Sequence, residues 1–127
     1  MLLLVLLLVL QMQEDILITA EETLTLLARK QQVLIIDARS ESHYRASPNK
    51  IAGDVRLDDF ANVDELLKDV PKDRIIVAYC TCPDEATSSS LAYMLRNKGY
   101  NKAYALKDGY YGWLRADGPI EPKNIRP

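Results

Sequence analysis

The sequence predicts an α/β domain built on a mostly parallel sheet of five strands, with helices on both faces. Five short apolar runs alternate along the chain with stretches in which apolar residues recur at helical spacing. Two of the runs, at 33–36 and 75–79, are continuously apolar, as is typical of strands covered on both faces. Strands that alternate with helices pair in parallel. The 127 residues suffice for one domain with a hydrophobic core, but not for two.

The first half of the chain carries three of these strands. They are predicted at residues 16–18, at 33–36 and, as a short segment that ends near Arg56, within 51–57. Thr19 and Glu22 form a capping box, in which each side chain can satisfy the other's backbone N–H, so a helix should begin there and run to about Arg29. A second helix is predicted at 63–67 from its apolar period.

The second half continues the alternation. Strands are predicted at 75–79 and 102–106, and helices at 88–98 and 110–115. Gly99 lies directly after the first of these helices, where a left-handed residue commonly ends a helix. The tail from 118 contains three prolines and no apolar period, so we expect residues 121–127 to be irregular and the domain to span 15–120.

Composition excludes several classes of function. With 16 basic and 18 acidic residues the net charge is -2, which gives no electrostatic basis for a nucleic-acid partner. The two cysteines, Cys80 and Cys82, are too close in sequence to join distant parts of the fold. Together with the single histidine, His43, they are too few for a closed zinc site, so we expect no metal.

The N-terminal leader, residues 1–14, has a separate character. Residues 1–10 are almost entirely Leu and Val, about half of the ~20 residues that a membrane-spanning helix needs. No basic segment precedes the run, and no small-residue cleavage site follows it, which disfavours a signal peptide. Three alternatives stay open: a non-cleaved anchor, the end of a longer membrane helix, or an apolar helix packed on the domain. We expect a cytoplasmic domain for which membrane association through residues 1–10 stays open.

The loop after the fourth strand is where chemistry is expected. Cys80 ends an apolar run and precedes a predicted helix, and a thiol at a helix N-terminus has its thiolate favoured by unpaired N–H groups. Such a cysteine is a candidate nucleophile. The alternative interpretation is that Cys80 is a small buried residue that finishes the strand.

Four short motifs in register with the strands resemble the rhodanese domain along nearly the whole chain after Asp15. They are Asp-Ala-Arg-Ser at 37–40, Lys-Ile-Ala-Gly-Asp at 50–54, Tyr-Cys at 79–80 and Lys-Asp-Gly-Tyr-Tyr-Gly-Trp at 107–113. The resemblance implies a sulfurtransferase that carries sulfane sulfur as a persulfide on the loop cysteine, here Cys80. It implies no cofactor. It implies as partners a small sulfur donor and a thiol acceptor, for which a protein is an alternative.

The resemblance also assigns roles to other residues. The loop expected to hold the substrate comprises Thr81, Asp84, Glu85, Ala86, Thr87 and Ser88. Asp37 and Arg39 are expected to hold chain segments together beside the site by charged hydrogen bonds. Gly109 should occupy a tight turn with a positive φ, and Trp113 and Tyr111 should pack near the loop. His43, in a polar stretch, is expected to be a surface residue rather than a general base.

The loop departs from the family pattern in its charge. Pro83 has no N–H to donate, and Asp84 and Glu85 place carboxylates where an anionic donor would bind. We therefore expect thiosulfate to be a poor donor and a thiol persulfide a better one. The same carboxylates could instead cap the following helix.

The choice of nucleophile depends on how the loop is counted. Counting forward from the strand selects Cys80, which we prefer, whereas counting back from Leu95 selects Cys82. Cys82 is then a second candidate or a thiol that resolves a persulfide on Cys80, and a bridge between the two should be easily reduced. A noncatalytic binding or regulatory module is the main alternative function. A phosphatase would need a loop arginine, which this loop lacks.

Overall fold

The computed structural model describes residues 2–3 and 16–123. The predicted leader therefore lies outside the described residues, except for Leu2 and Leu3, whose side chains are exposed. Within the described residues, no helix combines the length and the apolar character that a membrane crossing requires.

A parallel sheet of five strands organises the fold. Seven strands occur in the described part of the chain: β1 (Leu17–Ile18), β2 (Val33–Asp37), β3 (Asn49–Ile51), β4 (Val55–Arg56), β5 (Ile75–Tyr79), β6 (Ala103–Leu106) and β7 (Ile120–Pro122). The main sheet has the order β1-β6-β5-β2-β4, and every neighbouring pair is parallel. The predicted fold class is confirmed.

Five helices connect these strands: α1 (Ala20–Ala28), α2 (Glu41–Ala46), α3 (Val63–Leu66), α4 (Ala86–Asn97) and α5 (Gly109–Arg115). The capping box of α1 is present, because Thr19 Oγ1 accepts the Glu22 N–H and Glu22 Oε1 accepts the Thr19 N–H. Gly99, just past α4, has a φ of +100°, as the sequence predicts.

The alternation of side chains along β5 divides the core between the two faces of the sheet. Ile76 and Ala78 pack with residues of α3 and α4, including Val63 and Leu91. Val77 and Tyr79 belong to the cluster on the other face, which α1 and α5 cover and which contains Trp113. Burial on both faces explains why this strand is continuously apolar in sequence.

The predicted short strand that ends near Arg56 is present as β4, and a turn at Gly53, with φ +78°, separates it from β3, which was not predicted. Two expectations about local structure are wrong. The tail is not irregular throughout: β7 pairs antiparallel with β3, and Ile120 lies opposite Ile51. The helix after the cysteine loop begins at Ala86 rather than Ser88. The sequence analysis also missed α2, whose residues are all at least partly exposed and therefore show no apolar face.

Candidate active site

The candidate site lies at the carboxyl ends of the central strands. Asp37 at the end of β2 lies in register with Tyr79 at the end of β5, so the loops that follow the two strands meet at one edge of the sheet. In open α/β sheets ligands bind outside this edge. The cysteine loop therefore occupies the position that the topology favours for a site.

The two cysteines form a disulfide in this structure, with their Cα atoms 5.7 Å apart. Cys80 is buried, with 2% of its surface exposed, and Cys82 is half-buried. Because one residue separates them, the bridge links no distant parts of the chain. Of the two sulfurs, Cys82 Sγ belongs to the more exposed residue.

Hydrogen-bond donors around the two sulfur atoms are distributed unequally. The Thr87 N–H, in the first turn of α4, donates to Cys82 Sγ at 3.3 Å. Cys80 Sγ lies 3.4 Å from the hydroxyl oxygen of the buried Ser88, whose O–H donates to the Glu85 carbonyl. Among the described residues, no backbone N–H donates to Cys80 Sγ. The one described amide that donates to a cysteine sulfur therefore faces Cys82.

The two loop carboxylates do not cap α4. Neither Asp84 nor Glu85 makes a side-chain hydrogen bond to the start of the helix. Both residues instead have a left-handed backbone, with φ of 59° and 52°. The Glu85 carboxylate accepts the Asp108 N–H and so links the cysteine loop to the turn before α5. The side chain of Asp84 is exposed.

Asp37 and Arg39 form a buried ion pair beside the candidate site, as expected. Both side chains are fully buried, and Arg39 Nη2 donates to Asp37 Oδ2 at 2.8 Å and to the Asn49 carbonyl at 3.1 Å. Burial by itself disfavours the Arg39 cation. The hydrogen bond and charge of Asp37 outweigh it, so the pKa of the guanidinium is raised above its usual value. Arg56 donates to the Arg39 carbonyl at 2.6 Å and so holds the backbone of Arg39 in place.

A second buried network adjoins this pair, and the sequence analysis did not identify it. The Tyr79 hydroxyl donates to Asp54 and accepts the Ile51 N–H. Burial, the charge of Asp37 and the bond to Asp54 raise the pKa of Tyr79, which therefore stays neutral and holds β3 against the end of β5. The only sequence signal was Asp54, the polar residue that ends the motif Lys-Ile-Ala-Gly-Asp at 50–54.

An open cavity of about 460 Å³ adjoins the loop on its Thr81 side. Its lining comprises Arg39, His43, Ala46, Ser47, Pro48, Thr81, Tyr110 and Tyr111. His43 is exposed, as predicted, but the structure places its Nδ1 atom 2.6 Å from Thr81 Oγ1, which nothing in the sequence indicated. Arg39 Nη1 is buried and has no hydrogen-bond partner among the described residues.

The turn before α5 fixes the other side of the loop. Gly109 has a φ of +55°, as predicted, and a Cβ atom there would lie much closer to the Cys80 carbonyl oxygen than van der Waals contact allows. Trp113 is buried, and its Nε1–H donates to the Pro119 carbonyl at 2.8 Å. Tyr111 does not pack inward but is 56% exposed at the cavity wall.

Comparison with protein families identifies the family to which the chain belongs. The family model described as rhodanese-like domain matches residues 19–116, most of the chain. The protein belongs to the rhodanese-like domain family. Nothing among curated proteins matches the sequence.

Solved structures share the fold. The rhodanese-like domain of the Alr3790 protein from Anabaena sp., solved in solution, is 22% identical with a TM-score of 0.70, over 86% of this chain and 80% of that one. A crystal structure of the same Anabaena domain is 28% identical with a TM-score of 0.60, over 72% and 82% of the two chains. A thiosulfate sulfurtransferase from Pseudomonas aeruginosa is 20% identical with a TM-score of 0.70, over 84% of this chain and 20% of that one.

Proposed function

We propose that this chain is a sulfurtransferase in which the Cys82 thiolate takes sulfane sulfur from a small thiol persulfide and passes it to an acceptor thiol. The observation that carries the proposal is the Thr87 N–H aimed at Cys82 Sγ from the first turn of α4. An amide at a helix N-terminus stabilises the thiolate, which is the reactive form, and then the persulfide anion. The family membership and the thiosulfate sulfurtransferase among its structural relatives support the same class of reaction.

The reaction consists of two sulfur transfers. The Cys82 thiolate attacks the outer sulfur of R–S–SH, a bond forms between Sγ and that sulfur, and the S–S bond of the donor breaks with its electron pair on the inner sulfur, which leaves as R–S⁻. An acceptor thiolate then attacks the outer sulfur of the Cys82 persulfide and releases the Cys82 thiolate. No metal or organic cofactor takes part in either step.

The proposal of Cys82 as the first nucleophile differs from the preference for Cys80 that was based on the sequence alone. Cys80 is the more buried of the two and has no described amide donor, whereas Cys82 has both an amide donor and the greater exposure. Burial without such a donor disfavours a thiolate. These contacts support counting the loop back from the helix rather than forward from the strand.

The charge of the loop supports a persulfide donor over thiosulfate. Residues 80–88 contain no Lys or Arg, and the carboxylate of Asp84 is exposed beside Cys82. Two like unit charges 4 Å apart repel by about 1 kcal/mol in bulk water and about 4 kcal/mol near a protein surface. Thiosulfate carries two negative charges, whereas the reactive sulfur of a neutral persulfide group carries none.

Sulfur labelling of single-cysteine variants tests the proposal. We expect Cys82→Ser to take up no sulfur from cysteine persulfide, because the remaining thiol is buried, and Cys80→Ser to keep the first transfer. Intact-mass measurement of the reduced proteins after exposure to the donor reads the result. Uptake lost in Cys80→Ser but kept in Cys82→Ser would reassign the nucleophile to Cys80. No uptake by either single-cysteine variant would favour a noncatalytic binding module.

The cavity beside Thr81 offers a place for the non-sulfur part of the donor. If the Thr81 hydroxyl donates to His43 Nδ1, the other ring nitrogen of His43 carries a proton and can donate to a carboxylate. Thr81 directly precedes Cys82, so their Cα atoms are about 3.8 Å apart. A donor with a carboxylate a few bonds from its sulfur would then span the site.

Substitution of His43 tests this placement. We expect His43→Gln to lower kcat/KM about tenfold for cysteine persulfide, the equivalent of one hydrogen bond to a charged group. Cysteamine persulfide, which lacks the carboxylate, should be transferred at the wild-type rate. Arg45→Gln is the matched control, because Arg45 lies on the same helix but is paired with Glu41 and is outside the cavity lining. An equal effect of His43→Gln on both donors would contradict the placement.

A further inference from the structure

The disulfide between Cys80 and Cys82 shows that the loop can bring the two sulfur atoms into covalent contact. Their Cα separation of 5.7 Å lies within the range that disulfides adopt, so the loop conformation described above accommodates the bridge. The same conformation keeps the Thr87 N–H on Cys82 Sγ and Cys80 Sγ beside Ser88 Oγ. The buried thiol therefore lies in bonding contact with the sulfur that we assign as the nucleophile.

We propose that Cys80 resolves the Cys82 persulfide, so that the protein releases sulfane sulfur as hydrosulfide and is left with the Cys80–Cys82 disulfide. The inference rests on the proposed function, since it requires a persulfide on Cys82. It adds a second activity, the reduction of persulfide sulfur to sulfide, and names the product.

The step balances without any further reactant. Cys80 Sγ attacks Cys82 Sγ and forms the disulfide, and the bond between Cys82 Sγ and the outer sulfur breaks with its electron pair on that sulfur. The persulfide reacts as its anion, Cys82–S–S⁻, so the proton of the Cys80 thiol goes to the departing sulfur, which leaves as HS⁻. The two cysteine sulfurs are oxidised together by two electrons, and the outer sulfur is reduced by two. A dithiol reductant then restores the two thiols for the next cycle.

Ser88 positions the buried Cys80 thiol for attack on the Cys82 persulfide. Its hydroxyl donates to the Glu85 carbonyl at 3.3 Å, which leaves an oxygen lone pair directed to the neighbouring sulfur. In the reduced protein the Cys80 S–H can donate to that lone pair, which fixes the position of the thiol until its proton passes to the persulfide. A thiol held in place needs no diffusional encounter, and this favours Cys80 over an external acceptor.

A single turnover without reductant tests the inference. Fully reduced wild-type protein is mixed anaerobically with one equivalent of cysteine persulfide, and free sulfide and intact mass are measured over time. We expect the wild type to release close to one equivalent of sulfide and to end lighter by two hydrogen atoms. Cys80→Ser, with Cys80→Ala as a second variant, should release no sulfide and should end heavier by one sulfur atom.

The outcomes separate the inference from the proposed function. A wild type that holds a stable extra sulfur and releases no sulfide would overturn the inference and leave sulfur transfer intact. Sulfide release at the wild-type rate by Cys80→Ser would also overturn it. If neither the wild type nor Cys80→Ser gains sulfur or releases sulfide, the proposed function itself fails.

Discussion

Replacing Asp37 by alanine is expected to lower the free energy of unfolding by about 3–5 kcal/mol, because it leaves a buried cation without its partner. Arg39 is 1% exposed, and its guanidinium makes two bonds to the Asp37 carboxylate. The carboxylate also accepts the Arg39 backbone N–H at 3.0 Å, and this bond is lost as well. Urea unfolding followed by circular dichroism measures the change.

A pair with equally close atoms but full exposure serves as the control. Arg45 and Glu41 approach to 2.6 Å with side chains 77% and 57% exposed, so Arg45→Ala should cost less than about 1 kcal/mol. If Asp37→Ala does not fold, Asp37→Asn retains an acceptor oxygen and should fold with a smaller loss. A loss of under about 1 kcal/mol for Asp37→Ala would mean that the buried pair contributes no more than an exposed one.

The pair matters for the site as well as for stability. Arg39 reaches from the end of β2 to the Asn49 carbonyl, while Tyr79 at the end of β5 accepts the Ile51 N–H. Both contacts hold β3 against the sheet edge that carries the cysteine loop. A variant that loses Asp37 is therefore expected to lose sulfur transfer together with stability.

The sequence predicted those parts of the fold that local physics determines. Continuous apolar runs located β2 and β5, because strands buried on both faces carry no polar alternation. The Thr19–Glu22 capping box located the start of α1, since the two residues satisfy each other's backbone groups. Each of these signals arises from residues that are close in sequence, so it can be recognised without knowledge of the tertiary structure.

The parts that the sequence missed depend on contacts between distant residues. The β3–β7 ribbon joins Asn49–Ile51 to Ile120–Pro122, two segments too short to show an apolar period. The helix α2 packs no buried residue, and its one local signal was Ser40, which accepts the His43 N–H. The contact of His43 with Thr81 spans 38 residues and follows only from the meeting of two loops.

The choice between the two thiols could not be made from the sequence because the loop can be counted from either end. The strand ends at Tyr79 and the helix begins at Ala86, and each boundary selects a different cysteine. The structure adds the observation that the sequence lacks: the Thr87 N–H is directed at the sulfur of Cys82 and not at that of Cys80. Asp84 and Glu85, which lie between Cys82 and Thr87, both have a left-handed backbone that was not predicted from the sequence.

Replacing Gly109 by alanine is expected to lower the free energy of unfolding by about 2–5 kcal/mol and to slow the reaction of the cysteine loop. Its φ of +55° costs a side chain about 1–2 kcal/mol. Overpacking adds about 1–3 kcal/mol, because the new Cβ atom would overlap the Cys80 carbonyl oxygen. Urea unfolding measures the stability, and the rate of Cys82 alkylation in the reduced protein measures the loop.

Gly53→Ala separates the two causes. Gly53 has a φ of +78°, and no heavy atom lies within 4 Å of the point that a Cβ atom would occupy, so its substitution carries only the cost of the left-handed backbone. Equal losses of stability in the two variants would contradict the predicted overlap. The Tyr110 N–H donates to the Cys80 carbonyl at 3.0 Å, so a displaced carbonyl breaks this bond and shifts the start of the loop. Slower alkylation in Gly109→Ala alone would then link the backbone turn before α5 to the thiol chemistry.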